Sequence, residues 1–253
     1  METAQKNIEY LINESNGEVI KNVVYVLRLL NDPKAQETLR RLTKAPNQTA
    51  KNLFPLTPPF TEEHKNKLRK EKVLVERTEG RDVLKKLSEI NFVNIIKPME
   101  YKYSMNRDIV TSFIDSVNNI GLETTQTQSN LNSLTVESEG ESFLLLFENI
   151  EILLGVFECL NNETIRRIIE LFLFAPVLTY KTDTKIRNDY KKKYNTPMPK
   201  STLSNHLSDL RSNKIITEIK PDKRSVDILN IDYLQIFKPF LEFFQDFEVK
   251  KES

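Results

Sequence analysis

Glycine is scarce, with five among 253 residues, about a third of ordinary usage. No GxGxxG, GxxxxGK[ST] or GxSxG motif is present, so a glycine-built phosphate cradle and a strained nucleophile elbow are excluded. A single cysteine, Cys159, cannot close an intrachain disulfide. Two histidines, His64 and His206, are too few to complete a four-ligand Cys/His zinc set. Carboxylates such as Glu62 and Glu63, followed by His64, stand without a glycine loop or metal-ligand set around them. No catalytic constellation emerges, and neither an enzyme nor a cofactor or metal site is expected. Apolar runs stay far short of the roughly 20 residues that cross a bilayer. The opening METAQKNIEYLINESNGE lacks the basic-then-apolar order of a secretion signal. The expectation is a charged, soluble protein of the cytoplasm with no membrane partner.

Charge of one sign is also lacking in excess. Thirty-seven Lys/Arg against 36 Asp/Glu leave a net +1, so affinity for a polyanion must come from a local patch.

Comparison of the chain with itself is more informative. Residues 37–42 read ETLRRL and 163–168 read ETIRRI; residues 96–98 and 219–221 both read IKP. At the offset of the second match, Thr78 falls on Ser201, Leu84 on Leu207, Leu87 on Leu210 and Tyr103 on Val226. Matches in a shared order predict an internal duplication. Between the copies lies the polar stretch 118–142, NNIGLETTQTQSNLNSLTVESEGES, expected to be a linker. That places an N-terminal domain over 1–117 and a C-terminal one over 143–253. Each copy opens with an apolar helical stretch lacking a clean polar face, Val19–Leu30 and Phe143–Leu160.

The second copy is the easier to parse. Asn162 can cap a helix starting ETIRRIIELFLF, ended by Pro176. A second run, TDTKIRNDYKKKY, places Ile186, Tyr190 and Tyr194 on one stripe. Ser201 is expected to cap a third, STLSNHLSDLRSN, in which Leu203, Leu207 and Leu210 share a face. KIITEIKPDKRSVDILN then has hairpin chemistry, with its turn near Pro221–Asp222–Lys223. The first copy repeats the order with TEEHKNKLRKEK, TEGRDVLKKLSEI and a hairpin turning at Pro98–Met99–Glu100. The predicted fold is mainly α with small β-hairpin wings: two winged helix-turn-helix domains from an internal duplication, plus flanking helices.

CLNNETIRRIIELF resembles the first helix of ArsR-like repressors, and STLSNHLSDLRSNKII with its charged turn is similar to the recognition helix and wing of ArsR-like and MarR-like regulators. The resemblance covers roughly 159–230 and, diluted, 37–106. It implies a transcription regulator that places the third helix in the major groove of duplex DNA, in a nucleoid-associated location. The cysteine-rich metal motif of metal-sensing members is absent, so metal sensing does not carry over.

With the leucines inward, Ser201, Ser204, Asn205, Ser208 and Ser212 must face outward. Asn205 suits an adenine edge; Thr202 and Ser204 suit a thymine methyl or a phosphate. Phosphate contacts are expected from 181–200, where Lys181, Lys185, Arg187, Lys191, Lys192, Lys193 and Lys200 face only Asp183 and Asp189. Lys223 and Arg224 at the wing tip would reach a minor groove. In the first copy Arg81 and Lys85 offset the acidic start Glu79–Asp82, giving a weaker DNA contact or an orienting partner. Aromatics at helical spacing, Tyr233, Phe237, Phe240, Phe244 and Phe247, together with Phe243, exceed what one helix face buries locally. They predict a homodimer through 143–160 and 231–248, with Pro239 kinking the helix. Two alternatives stand beside DNA-binding regulation: a tandem winged-helix scaffold for protein partners, and a plasmid-type replication initiator.

Overall fold

The computed structural model describes residues 2–44, 47–54, 77–96, 101–122, 133–174, 182–219, 226–247 and 249. The described elements are mainly helical, with three small antiparallel sheets. In chain order they are α1 (Glu2–Ile12), a 3-10 turn (Glu14–Asn16), α2 (Gly17–Asn31), α3 (Pro33–Lys44), β1 (Gln48–Thr49), α4 (Ala50–Leu53), α5 (Arg77–Glu89), β2 (Val93–Ile96), β3 (Lys102–Met105) and α6 (Arg107–Asn118). Then come β4 (Ser133–Ser138), β5 (Glu141–Leu146), α7 (Phe147–Asn161), α8 (Glu163–Leu173), α9 (Asp183–Tyr194), α10 (Lys200–Ser212), β6 (Ile216–Ile219), β7 (Val226–Leu229), α11 (Ile231–Gln235) and α12 (Lys238–Phe243). No helix among the described residues is long and apolar enough to cross a membrane.

The chain divides into two compact units. Unit 1 holds residues 1–24 with 152–245, and unit 2 holds 25–151 with 246–253. This differs from a cut at 118–142, because the first helix packs with the last. In unit 1, Ile8 and Leu11 of α1 are fully buried, and α1 lies against α8, α11 and α12. Gln245 Nε2 donates to Tyr10 Oη at 2.7 Å and to Asn16 Oδ1 at 3.1 Å. These bonds tie segments more than 200 residues apart in sequence, which no local periodicity signals.

Part of the aromatic stripe is covered by the chain itself. Phe237, Phe240 and Phe244 are buried within the unit. Phe157 of α7 meets Phe237 and Phe240 at ring distances of 6.3 and 5.6 Å. The expectation of a homodimer rested on six rings lacking local cover; these three are covered within the chain, while Tyr233, Phe243 and Phe247 are half-buried. The helix predicted over them breaks at Ile236–Phe237, with Pro239 in the first turn of α12, where a missing N–H costs nothing.

In unit 2, β1, β3 and β2 form a sheet in that order, with Val93 opposite Met105 and Ile96 opposite Lys102. The expected linker instead contains a second hairpin, β4 with β5, turning at Glu139–Gly140. Both turn residues have positive φ, 53° and 86°, as a tight two-residue hairpin loop requires. Alternation buries Leu134, Val136 and Leu145. Residues 143–146 are therefore strand, not the start of the apolar helix, and α7 begins at Phe147.

Backbone geometry recurs between the units. Asp32 and Asn162 each accept a side-chain bond from the amide two residues on. Gln36 Nε2 reaches back to Leu30 O at 2.9 Å, and Arg166 reaches Leu160 O at 2.6 Å. The offset in both cases is 130. At the other end, Phe92 N donates to Leu87 O and Ile215 N to Leu210 O, while Asn91 and Lys214 sit left-handed, both at φ 58°. That offset is 123. Asn106 N to Phe92 O and Asn230 N to Ile215 O close the two hairpins, with the donors at an offset of 124 and the acceptors at 123. These offsets differ from two of the sequence matches. ETLRRL and ETIRRI sit one helical turn out of structural register, and Tyr103 corresponds to Asp227 and not to Val226.

Candidate nucleic-acid interface

Helix α10 is the centre of the candidate site. Leu203, Leu207 and Leu210 are each at most 1% exposed. Ser201, Ser204, Asn205, Ser208 and Ser212 are exposed, and Thr202 is half-buried. The i, i+4, i+7 spacing of the leucines accounts for this division of faces. Ser201 is not the cap; the N-cap is Pro199, which offers no side-chain oxygen, and the helix opens at Lys200. No side-chain cap bond reaches its first amides among the described residues. His206 is half-buried beside the leucines.

The helix ends in a Schellman motif: Lys214 N donates to Arg211 O, and Ile215 N to Leu210 O at 2.9 Å. Arg211 then clamps the following hairpin. Its Nε and Nη2 each meet a carboxylate oxygen of Asp227 at 2.8 Å, and Asp227 is 1% exposed. Such a fork fixes the helix against β7. Asn213 Nδ2 donates to Asp209 O at 2.9 Å and contacts Cys159 Sγ at 3.4 Å. Burial pushes the Cys159 thiol up to about 12, with Asp209 adding to it, so the sulfur stays a protonated, packed group.

The basic segment splits in two. Lys185, Lys191, Lys192 and Lys200 are exposed, and no ion pair engages them among the described residues. Lys193 is also exposed but engaged: its Nζ lies 2.9 Å from Glu170 and over the rings of Phe174 and Tyr194. Arg187 Nε donates to Met198 O at 2.9 Å and shapes the loop between α9 and α10. Tyr194 Oη also bonds Glu170. Burial would raise the Glu170 pKa, but the bonds from Lys193 and Tyr194 with the Lys193 and Arg167 charges hold it below the usual range. Sequence spacing could not separate these lysines, since only the fold shows which of them meets an acid from α8. Lys181, Lys223 and Arg224, both hairpin turns and the helix expected over TEEHKNKLRKEK lie outside the described residues.

The corresponding helix of unit 2, α5, exposes Arg81, Asp82, Lys85 and Lys86, with Val83, Leu84 and Leu87 buried. Glu79 is met by Lys34 Nζ at 2.6 Å. Gly80 stands where α10 has Leu203. A Cβ there would lie 2.4 Å from the Phe54 ring, which fills that space. Beside it, Ile95, Ile96 and Tyr101 on the first hairpin are 40%, 43% and 57% exposed.

The chain matches no family model, no curated protein and no solved structure.

Proposed function

We propose that the chain is a DNA-binding transcription regulator with two winged helix-turn-helix modules derived from one duplicated unit, and that α10 is its principal reading helix. The order of α8, α9, α10, β6 and β7 supports the module, and the recurring hydrogen bonds at offsets 130, 123 and 124 support the duplication. The observation that carries the proposal is the outer face of α10. Short hydroxyls and one amide project from a helix locked by buried leucines and the Arg211–Asp227 fork, with Lys191, Lys192 and Lys200 close by in sequence. A helix of this kind fits the major groove, where base edges carry a distinguishable pattern, and exposed lysines neutralise phosphates.

Binding of the full chain to random duplex across salt concentrations tests this. About four to six phosphate contacts give a log–log slope of roughly −4 to −5. No binding at low salt removes the reading. The scaffold alternative draws on the exposed Ile95, Ile96 and Tyr101, since apolar side chains on a wing suit a protein partner better than a phosphate.

A further inference from the structure

We infer that the two reading helices recognise unlike base pairs: α5 takes a G·C pair through Arg81 and Asp82, and α10 takes an A·T pair through Asn205. This inference rests on the duplex-binding reading and specifies what each half would read.

The Schellman ends set the correspondence. Leu87 and Leu210 accept the same bond, so positions along the two helices pair at an offset of 123. Both helices have 13 residues, and Leu84 and Leu207 are both buried at matching positions. On the outer face Arg81 then corresponds to Ser204, Asp82 to Asn205, Lys85 to Ser208 and Lys86 to Asp209. All eight are exposed, and no pair keeps its chemistry. A guanidinium fork matches guanine O6 and N7, a carboxylate accepts from the cytosine amino group, and a carboxamide matches adenine N6 and N7. Asp82 cannot replace Asn205 at adenine, because an ionised carboxylate has no donor for N7.

The charges divide in the same sense. The outer face of α5 carries three cations against Asp82, while α10 sets only Lys200, at its first position, against Asp209 and has Lys191 and Lys192 before it on α9. At the start of α5 the Glu79 carboxylate is neutralised by Lys34. The first module thus carries its attraction to DNA on the reading face itself, and the second carries it on the flank.

Selection of bound duplexes from a randomised library, with the full chain and its Arg81→Ala and Asn205→Ala variants, tests the inference. All three melting temperatures are compared first, because both side chains are exposed and the fold should be unaffected. The expected motif has two unlike elements. Arg81→Ala should lose the guanine preference roughly ten- to hundredfold and leave the A·T element, and Asn205→Ala should do the reverse. Two identical elements, or an Arg81→Ala motif equal to wild type, overturns the inference while the DNA-binding reading stands. A wild-type chain that binds no duplex at low salt overturns both.

Discussion

Helices α10 and α5 end alike and begin differently. Both close in a Schellman motif with an apolar pair across it, Leu210 with Ile215 and Leu87 with Phe92, and with a non-glycine residue held left-handed. At the start, α10 packs Leu203 into its own core, whereas α5 has Gly80 and receives the Phe54 ring from the end of α4. The lesson is that the C-terminal end, which aims the hairpin, tolerates little change. The N-terminal half can be rebuilt provided that some apolar group fills the same space.

The largest expected effect breaks this exchange of Leu203 for Phe54. Phe54→Ala should destabilise unit 2 by about 3–5 kcal/mol, because Gly80 has no side chain to move into the void. Leu203→Ala should cost unit 1 about 2–5 kcal/mol. Denaturant unfolding followed by probes in each unit would show the losses in different transitions. If Phe54→Ala is neutral, the ring is not filling the leucine position.

Next in size is the fork that only α10 possesses. Arg211→Ala strands the buried Asp227 carboxylate and should cost roughly 3 kcal/mol. The corresponding position in α5 is Ser88, and Ser88→Ala should change stability by less than about 0.5 kcal/mol. Equal losses would mean that Asp227 is satisfied without Arg211.

Replacing Lys191, Lys192 and Lys200 together with alanine should flatten the salt slope by about 2.7 and leave stability intact. Lys193→Ala should do the opposite. It breaks the Glu170 pair and should lower the melting temperature while changing the slope by less than 1.

The units should also part on titration. Glu170 has a folded pKa below its unfolded value, so its contribution is present above the ordinary carboxylate range and is lost as pH falls through the folded value. Tyr25 in unit 2 donates to Glu89 at 2.7 Å, and burial with this bond pushes it up to about 12. Its contribution is present below about 10 and is lost as pH rises through about 12. Unit 1 should therefore lose the Glu170 contribution in acid, whereas in strong alkali both units should soften, unit 2 through Tyr25 and unit 1 through Cys159 and Tyr194, which burial also raises, as two-probe melts against pH would report.

The smallest effect concerns the left-handed turns. Lys214→Gly should stabilise by up to about 1 kcal/mol, and Asn91→Gly by less, because asparagine tolerates that conformation better than lysine.

Much of this architecture is written in short-range pattern. The leucines of α10, the Asn162 cap with bonds to Thr164 and Ile165, and the strands at 216–219 and 226–229 follow from spacing and turn chemistry. Longer-range events were not legible. Nothing local in residues 2–12 points to a helix that packs on α11 and α12, and aromatic content cannot say whether rings meet their own chain or another. The β4–β5 hairpin did leave a signal, the alternation Leu134, Val136 with the Glu139–Gly140 turn, but its polar setting masked it. ETLRRL and ETIRRI misled because a charged amphipathic helix resembles itself after one turn.

The central claim is that the serine-and-asparagine face of α10 lies against duplex DNA. It is tested most directly by placing a photo-crosslinker at Ser204→Cys in a Cys159→Ser background and irradiating with duplex at low salt. The account predicts a covalent protein–DNA adduct from position 204 that fades as salt rises. A duplex-bound chain that forms no adduct at 204, yet does so from a crosslinker on a face remote from α10, would contradict it.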